Sequence, residues 1–553
     1  MSSARTAWSR REIVTAGAIF AAALLLRFLH LRAIGLHDPF FELPATDARL
    51  YHQWAIEIAG GDWLGEGVFV LAPLYAYFLG LVYAVFGAGI KAALIANALV
   101  GVLSCVLVVA VGRRLFDRRV ALIASAMIAA DSTSIFFGGM LAAANLVVPL
   151  VLLLLLAAQR AHESPSAARW FGAGLVLGLG ALAWQALLLF APYLLLWPVF
   201  SENSSASRRA RWAALVLAGI TVAILPVAVR NHAVADRFTL VNVGGGISLY
   251  AGNHPHAQGG YGMPRRYTRV VADAPVERRQ LFREVAEQVE GRELGPSEIS
   301  AFWVRETLEY ISTNPGQWLR HEVRKFGLFW NAAELWNERS PVAERAFSWV
   351  RRVPLISFAV VGPLALLGMG IFAREWRRLY LVYAVIELHL ILSLIFSVLA
   401  RDRMSALPTL YLFASAAACW LWDRLRSRRF RAFAVGLVGL GFAVWLVHLP
   451  LSRENFAMAY YRLGDRFSQL EQWDAAIEYF GRSLNRDPGA VSTWSNLALA
   501  FEARGDSNQD ATQTWLRVLD LARRQELHLH AERAERHLRD LGHESLIAPP
   551  GAH

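Results

Sequence analysis

Apolar runs separated by short arginine-rich breaks follow one another along the first 450 residues of the chain. Runs of this kind are typical of helices that cross a bilayer. The arginine clusters fall after every second run, and such clusters stay in the cytoplasm in membrane proteins. The pattern therefore predicts an all-α polytopic membrane protein of about eleven spans, with its N-terminus inside and its C-terminus outside. The predicted spans cover residues 13–31, 90–111, 120–130, 140–158, 170–184, 187–200, 212–229, 355–372, 379–399, 407–422 and 433–447.

The stretch between the first two spans, residues 46–86, has a different pattern. Its first half places Tyr51, Trp54 and Ile58 at helical spacing, with polar residues between them. Its second half is aromatic and too short to cross a bilayer comfortably. We therefore predict two helices that lie in the outer membrane interface, with Trp and Tyr at headgroup depth.

Composition supports the membrane interpretation. Hydrophobic residues make up 56% of the chain and charged residues 18%, and the mean hydropathy is +0.36. The net charge of +11 would suit a nucleic-acid partner, but the arginines flank apolar runs, so we expect no nucleic acid. Cys105 and Cys419 lie inside apolar runs and provide no disulfide framework. The first span has no small-residue cleavage site and is predicted to be a signal anchor.

Two regions outside the spans are long enough to form units of their own. Residues 231–352 are polar enough to make an extracytoplasmic loop domain within a transmembrane core of residues 1–450. Residues 455–545 are polar and their pattern is helical. Two successive units place similar residues at matching positions: Tyr460, Leu463, Gly464, Phe467, Ala476, Phe480 and Pro488, then Trp494, Leu497, Ala498 and Phe501. These positions resemble tetratricopeptide repeats, which bind peptides or partner proteins on a concave surface. A plain helical tail is the alternative.

A set of short motifs follows in order through the core. The motifs are Asp47-Ala48-Arg49 with Tyr51, Gly61-Asp62-Trp63, Ala72-Pro73-Leu74-Tyr75, Gly112-Arg113-Arg114-Leu115-Phe116, Ser297-Glu298-Ile299-Ser300, Phe302-Trp303, Pro315 with Trp318, Lys325 with Trp330-Asn331, and Arg401 with Arg403. Together they resemble the GT-C superfamily of membrane glycosyltransferases, which includes protein O-mannosyltransferases and lipid A aminoarabinose transferases. The resemblance covers about residues 13–450.

The resemblance implies a GT-C-type bundle and a sugar donor carried on a polyprenyl phosphate. It also implies transfer on the periplasmic face of a bacterial inner membrane, with the C-terminal repeats periplasmic. No cofactor is expected, because the lipid-linked sugar is itself a substrate. The chain has no D-x-D pair, so a divalent metal is not expected either.

The resemblance assigns Asp47 as the general base that takes a proton from the acceptor hydroxyl, whose pKa lies far above neutral. The alternative is a helix N-cap at the end of a span. Arg401 and Arg403, with Lys325 and Arg265 as further candidates, are expected to bind the donor phosphate, because guanidinium and ammonium groups match phosphate oxygens. Each could instead be a solvated or snorkelling cation.

Two departures from the family pattern affect the predicted site. The family's R-Y-R motif is followed by an apolar residue and proline, whereas this chain has Asp402 in the middle and Met404-Ser405 after it. An Arg–Asp pair within the motif would therefore consume part of its charge. Relatives also carry a second acid in a stretch resembling F-Y-E-G, where this chain has Phe136-Phe137-Gly138-Gly139 and then Asn145. Asp131 is the nearest carboxylate and the candidate second acid.

Two functions are consistent with the sequence. The first is a glycosyltransferase that moves a hexose or pentose from a polyprenyl phosphate to an acceptor on the outer face, with Asp47 as the base. The second is a catalytically inactive GT-C-fold scaffold that recruits envelope proteins through its repeats, since the second acid is missing. Expected partners are therefore the lipid-linked sugar, membrane lipids and a protein bound by the repeats.

Overall fold

The computed structural model describes residues 8–200, 205–235, 239–242, 244–260, 275–336, 339–353, 355–452, 455–505, 508–525 and 527–547. The protein is all-helical, with 78% helix and no strand among the described residues. This confirms the predicted fold class of a polytopic all-α membrane protein.

The helices of the first half of the chain are α1 (Arg10–His37), α2 (Pro39–Glu42), α3 (Thr46–Ala59), α4 (Leu74–Phe86), α5 (Ile90–Leu115), α6 (Arg118–Ala129), α7 (Ser132–Gly138), α8 (Ala144–Glu163), α9 (Ala167–Ala183), α10 (Ala191–Leu196) and α11 (Ala206–Ala235). The helices of the second half are α12 (Gly245–Gly252), α13 (Pro275–Glu290), α14 (Pro296–Thr313), α15 (Pro315–Phe329), α16 (Phe358–Ile371), α17 (Tyr380–Ile395), α18 (Ala400–Arg403), α19 (Leu407–Arg426), α20 (Phe430–Val447), α21 (Phe456–Gln469), α22 (Trp473–Leu484), α23 (Val491–Arg504), α24 (Asn508–Arg524) and α25 (His528–Asp540). Short 3₁₀ turns flank α10 and occur again at Ala343–Ala346, Trp349–Arg352, Ala373–Glu375 and Glu544–Leu546.

Each predicted span coincides with a helical segment. Five of these helices, α1, α5, α8, α11 and α20, are long and apolar enough to cross a membrane by length and composition. The others are shorter or broken. The span predicted at 120–130 corresponds to the 12-residue α6, and the one at 187–200 consists of α10 between two 3₁₀ turns.

Helix α19 forms the centre of the bundle, since its first eleven residues are all buried. Small residues let helices of the bundle approach one another closely. A Cβ added at Gly368 of α16 would lie 2.1 Å from the carbonyl oxygen of Phe413 in α19, and one at Gly174 of α9 would lie 2.0 Å from that of Val216 in α11. Glycine is therefore required at both crossings.

Residues 46–86 form the two predicted helices, α3 and α4, which pack against each other through Tyr51, Ile58 and Leu79. Arg230 at the end of α11 fixes the loop between them. Its guanidinium donates to the carbonyl oxygens of Leu64 and Gly65 and lies 3.9 Å from the centre of the Phe69 ring. Both helices follow α1 and therefore lie at the end of the bundle predicted to face outward, which we call the predicted outer face.

Helices α12 to α15 belong to the predicted loop domain, and α21 to α25 form a series in which each helix packs on the next. The first helix of the series, α21, also contacts α2 of the transmembrane part. The domain boundaries and the assignment of α21 to α25 to tetratricopeptide repeats stay predictions.

Candidate active site

Asp47 lies in the first turn of α3, at the predicted outer face. The N-cap of this helix is Ala45, which makes no side-chain capping bond, so Asp47 does not fill the N-cap position. Thr46 has a φ of 54°, in the left-handed region where a β-branched residue is strained by about 1–3 kcal/mol. The residue immediately before the candidate base is therefore held in an unfavourable conformation.

Arg401 lies in α18, the short helix between α17 and α19, and it pairs directly with Asp47. Its Nη1 donates to Asp47 Oδ2 over 3.1 Å, joining residues 354 positions apart in the chain. The two side chains are 31% and 24% exposed, respectively. Partly exposed ion pairs contribute only about 0–1 kcal/mol to stability, so the fold does not depend on this pair. A carboxylate and a guanidinium are thus together at an accessible position.

Asp402 is a second carboxylate beside Arg401. Its Oδ1 lies 3.6 Å from Arg401 Nε, and its side chain is about one third exposed. Burial raises the pKa of Asp402, Arg401 opposes this rise, and the negative charge of Asp47 adds to it. The guanidinium of Arg401 therefore lies between two carboxylates, as the Arg-Asp-Arg sequence suggested.

Arg403 lies on a different side of α18 from Arg401. It is buried, its Nη1 donates to the carbonyl oxygens of Phe329 at 2.9 Å and Asn331 at 3.0 Å, and its guanidinium lies 3.7 Å from the centre of the Phe358 ring. Burial lowers its pKa to about 10, so it stays charged at neutral pH. These contacts favour a structural role, and the structure does not bring Arg403 to the Asp47–Arg401 pair.

Lys325 is also fully buried. Its ammonium donates to Asn253 Oδ1 at 2.8 Å, Glu322 Oε1 at 2.8 Å and the carbonyl oxygen of Leu394 at 2.7 Å. Burial lowers the pKa of Lys325, and the Glu322 carboxylate partly offsets this effect. Three acceptors occupy its three N–H donors, which favours a structural role here too. The last predicted phosphate ligand, Arg265, lies outside the described residues.

Asp131, the candidate second acid, caps α7. Its Oδ2 accepts a 2.6 Å hydrogen bond from the backbone N–H of Ser134, and its backbone pairs with Ile356. The side chain is buried, and burial raises its pKa. Its side chain also interacts with Tyr411 of α19, and the nearby Glu334 carboxylate adds to the rise in its pKa. Asp131 therefore caps α7 and also faces polar groups of α19 and of the segment after α15.

Gly138, Gly139 and Asn145 lie at the end of α7, in the turn that follows it and at the start of α8, where the family pattern leads us to expect a second acid. A Cβ added at Gly138 would meet no atom within 4 Å, whereas one at Gly139 would lie 2.7 Å from His30 Nε2. Asn145 Nδ2 donates to the carbonyl oxygens of Phe137 at 2.9 Å and Met140 at 3.2 Å. Asn145 therefore holds the turn, and a side chain added at Gly138, the position where the family pattern leads us to expect an acid, would meet no neighbouring atom at its Cβ.

A groove runs from this turn to the start of α3. Aliphatic and aromatic side chains form most of its wall, and Arg339 contributes the charged group. Its lining residues are Phe40, Phe41, Pro44, Ala45, Ala48, Ile90, Leu94, Gly139, Met140, Leu141 and Arg339. The groove therefore places apolar side chains beside the first turn of α3, which carries Asp47.

The structure also contains a buried polar network that the sequence analysis did not predict. Glu344 Oε1 accepts from Arg339 at 2.8 Å, Glu344 Oε2 lies 3.4 Å from Arg351 Nε, and Arg339 pairs with Asp38. His30 Nδ1 and the Ser348 hydroxyl are 2.9 Å apart. An ionisable side chain inside a predicted span, such as His30, usually marks a functional or structural site, and it was the signal that could have revealed the network.

Comparison with known proteins supports the resemblance found in the sequence. Residues 71–229, less than a third of the chain, match the family model described as dolichyl-phosphate-mannose-protein mannosyltransferase. This match confirms the resemblance to the GT-C superfamily of membrane glycosyltransferases. No curated protein matches the chain.

Two solved structures are similar to the chain at low identity. The apo oligosaccharyltransferase of Archaeoglobus fulgidus is 13% identical, with a TM-score of 0.45, over 84% of this chain and 59% of that one. ArnT of Cupriavidus metallidurans bound to undecaprenyl phosphate is 17% identical, with a TM-score of 0.32, over 74% of this chain and 78% of that one. The chain therefore spans less than two thirds of the archaeal protein it matches. TM-scores at this level are too low to support a conclusion about function.

Proposed function

We propose that this protein is a membrane glycosyltransferase that moves a sugar from a polyprenyl-phosphate donor to an acceptor on the outer face of the membrane. The contact that carries the proposal is the ion pair between Asp47 and Arg401, 3.1 Å long and partly exposed at the predicted outer face. The match to a family described by dolichyl-phosphate-mannose, a sugar on a polyprenyl phosphate, supports the same donor class.

The two groups have complementary tasks in this reaction. The acceptor hydroxyl attacks the anomeric carbon while Asp47 takes its proton, because a free hydroxyl is a poor nucleophile. The bond between the anomeric carbon and the phosphate oxygen breaks, and the polyprenyl phosphate leaves with the bonding electrons. Direct displacement of this kind inverts the anomeric centre. Arg401 then stabilises the leaving phosphate through its planar fork of N–H donors.

Asp402 fits this scheme as a group that orients Arg401. With Nη1 turned toward Asp47 and Nε toward Asp402, the guanidinium is positioned by contacts at two of its nitrogens. A bound phosphate would replace part of these contacts, and Arg401 would then neutralise the leaving group instead of the base. The remaining elements of the proposal are a bacterial inner-membrane location, a periplasmic C-terminus and a protein partner on α21 to α25.

Replacing Asp47 tests the proposal. Purified protein in vesicles is given a panel of polyprenyl-phosphate hexoses and pentoses, and release of polyprenyl phosphate is measured. We expect Asp47→Asn to lower kcat by about 10²–10⁴-fold, the usual contribution of a general base. Glu57→Gln is the matched control, because it removes one negative charge from an exposed position of the same helix. Wild-type turnover by Asp47→Asn would contradict the assignment.

A second function, the inactive scaffold, is favoured by one observation. Gly138 stands where relatives carry the second acid, and the space around it is open. A scaffold would release no polyprenyl phosphate from any donor in the panel, but it would still capture envelope proteins through α21 to α25.

A further inference from the structure

Helix α15 presents an exposed apolar stripe on one side. Leu319, Val323 and Phe326 are 58%, 66% and 47% exposed, and they lie four and three positions apart, which places them on one helical face. Arg320 and Arg324, both exposed, lie along one edge of this stripe. The opposite side carries buried Lys325, Leu328 and Phe329 and packs into the protein. One side of the helix therefore packs into the protein, and the other side exposes an apolar stripe with arginines along its edge.

The C-terminal end of α15 lies next to the end of the last predicted span, α20. The backbone N–H of Ala332 donates to the Val447 carbonyl oxygen at 2.9 Å, and Asn331 Nδ2 donates to that of Leu449 at 2.7 Å. Arg324 Nη2 donates to the carbonyl oxygen of Leu451 at 3.0 Å. These bonds hold α15 at the level where α20 leaves the membrane.

The surface of α20 below this point is strongly apolar and open. Val435, Val438 and Phe442 are 72%, 75% and 64% exposed, as expected for side chains that face lipid in one of the five helices able to cross a membrane. The bonds above join the C-terminal end of α15 to the end of α20, so the stripe begins close to the point where this exposed apolar surface ends. An apolar stripe flanked by arginines is typical of a helix that lies in the membrane plane.

We infer that α15 lies in the outer membrane interface, with Leu319, Val323 and Phe326 at the acyl boundary and Arg320 and Arg324 toward anionic phospholipid headgroups. The helix was predicted to belong to a polar outer domain, so this position is not evident from the sequence pattern. The lipid also fixes the depth of the residues that follow α15. The carbonyl oxygens of Phe329 and Asn331 accept hydrogen bonds from Arg403 in α18, so the end of the helix is bonded directly to the segment that carries Arg401.

Spin labels on the full-length protein in vesicles test the position of the helix. A label at Val323→Cys is compared with one at Val438→Cys, on the lipid-facing side of α20, and one at Glu309→Cys, an exposed polar position of α14. The two native cysteines are buried, and the unsubstituted protein gives the background labelling. We expect the Val323 label to resemble the Val438 label, with collisions with oxygen several-fold more frequent than those with a water-soluble nickel complex.

Two outcomes would overturn the inference. A Val323 label as accessible to the nickel complex as the Glu309 label would place the stripe in water. A label shielded from both oxygen and nickel would show that protein covers the stripe. Neither outcome depends on enzymatic activity, so failure here is distinct from failure of the proposed function.

The arginines are tested by lipid composition. Vesicles of phosphatidylcholine are compared with vesicles that also contain phosphatidylglycerol, and the depth of the Val323 label is measured in each. We expect a deeper label with the anionic lipid, since basic residues near an anionic surface are attracted to it. The difference should shrink in Arg320→Gln. Equal depth in both vesicles would overturn the headgroup part of the inference.

Discussion

Arg401 and Arg403 are two positions apart, but their environments differ, so we expect their substitutions to affect stability and donor binding differently. Arg401→Ala removes a partly exposed pair, so we expect a change in stability of about 0–1 kcal/mol and at least a tenfold higher KM for the donor. Arg403→Ala removes a buried guanidinium and leaves the carbonyl oxygens of Phe329 and Asn331 without this donor, which costs about 2–4 kcal/mol. Thermal unfolding and donor kinetics of the two purified variants separate these effects.

The reverse pattern would contradict these roles. If Arg401→Ala lowered the Tm as much as Arg403→Ala while the donor KM stayed unchanged, Arg401 would have a structural role and no contact with phosphate. Arg401→Lys is an intermediate control, because lysine keeps the charge but loses the planar fork.

The stability of the protein should depend on pH through the carboxyl group of Asp402. Its pKa is raised in the folded protein by burial and by Asp47, with Arg401 opposing the rise. A carboxyl whose pKa rises on folding makes a contribution to the free energy of unfolding that depends on pH. This contribution is fully present below the unfolded pKa of about 3.9 and is lost as the pH rises through the pKa of the folded protein. We therefore expect Asp402→Asn to have a higher Tm than the wild type at neutral pH and a smaller difference near pH 4. A constant difference across this range would contradict the shifted titration.

At the level of elements, hydropathy and arginine placement predicted where the helices lie, because the order of apolar runs follows from the membrane itself. They were less accurate about how each segment is built. The span predicted from residue 140 begins at Ala144, because Met140 belongs to the turn that Asn145 holds. The segment 187–200 breaks into short helices around Pro192 and Pro198, since proline removes a backbone donor.

Only part of the candidate site could be predicted from the sequence. The resemblance predicted Asp47 and Arg401 as site residues, and the structure places the two side chains in contact. Residue type alone did not separate Arg401 from Arg403 or reveal that Lys325 is buried. Their roles depend on which carbonyl and carboxylate oxygens lie nearby, such as those of Phe329 and Glu322. Periodicity carries no information about such partners.

Substitutions at Gly138 and Gly139, between α7 and α8, test whether the reaction needs the second acid that this chain lacks. We expect Gly138→Glu to fold, because Gly138 is buried but a Cβ at this position meets no atom within 4 Å. We also expect it to release polyprenyl phosphate within about twofold of the wild type, since the proposed reaction uses a single base. Gly139→Ala is the steric control. Its Cβ would clash with His30, which costs about 1–3 kcal/mol, and thermal unfolding measures this loss.

The outcome distinguishes the two proposed functions. If Gly138→Glu consumes donor in the vesicle assay while the wild-type protein consumes none, the wild type is the inactive scaffold and the acid was required. If both proteins consume donor at similar rates, the missing acid did not abolish catalysis.

At the scale of the whole molecule, the C-terminal helices rest on the predicted outer face beside the candidate site. Phe347 lies 6.3 Å from Phe467 and 6.4 Å from Tyr479 between ring centres. The guanidinium of Arg466 lies 5.7 Å from the centre of the Phe40 ring. Phe40 and Phe347 therefore join the apolar cluster of α21 to α23. The same outer segments carry Arg339 and Glu344 of the buried network, so the docked helices cover the network as well.

This arrangement predicts that weakening the contact between the outer segments and the C-terminal helices exposes residues 39–42 and α21 together. We expect Phe347→Ala, which removes a partly buried ring, to weaken docking by about 1–2 kcal/mol. Hydrogen exchange should then become about tenfold faster in residues 39–42 and in α21, because each 1.4 kcal/mol of local opening is a factor of ten. Phe501→Ala is the matched control, since Phe501 packs in the same cluster from α23 and its loss should speed exchange in α21 to α23 without affecting residues 39–42. Unchanged exchange in residues 39–42 of Phe347→Ala would mean that the C-terminal helices are tethered to the membrane part without being docked on it.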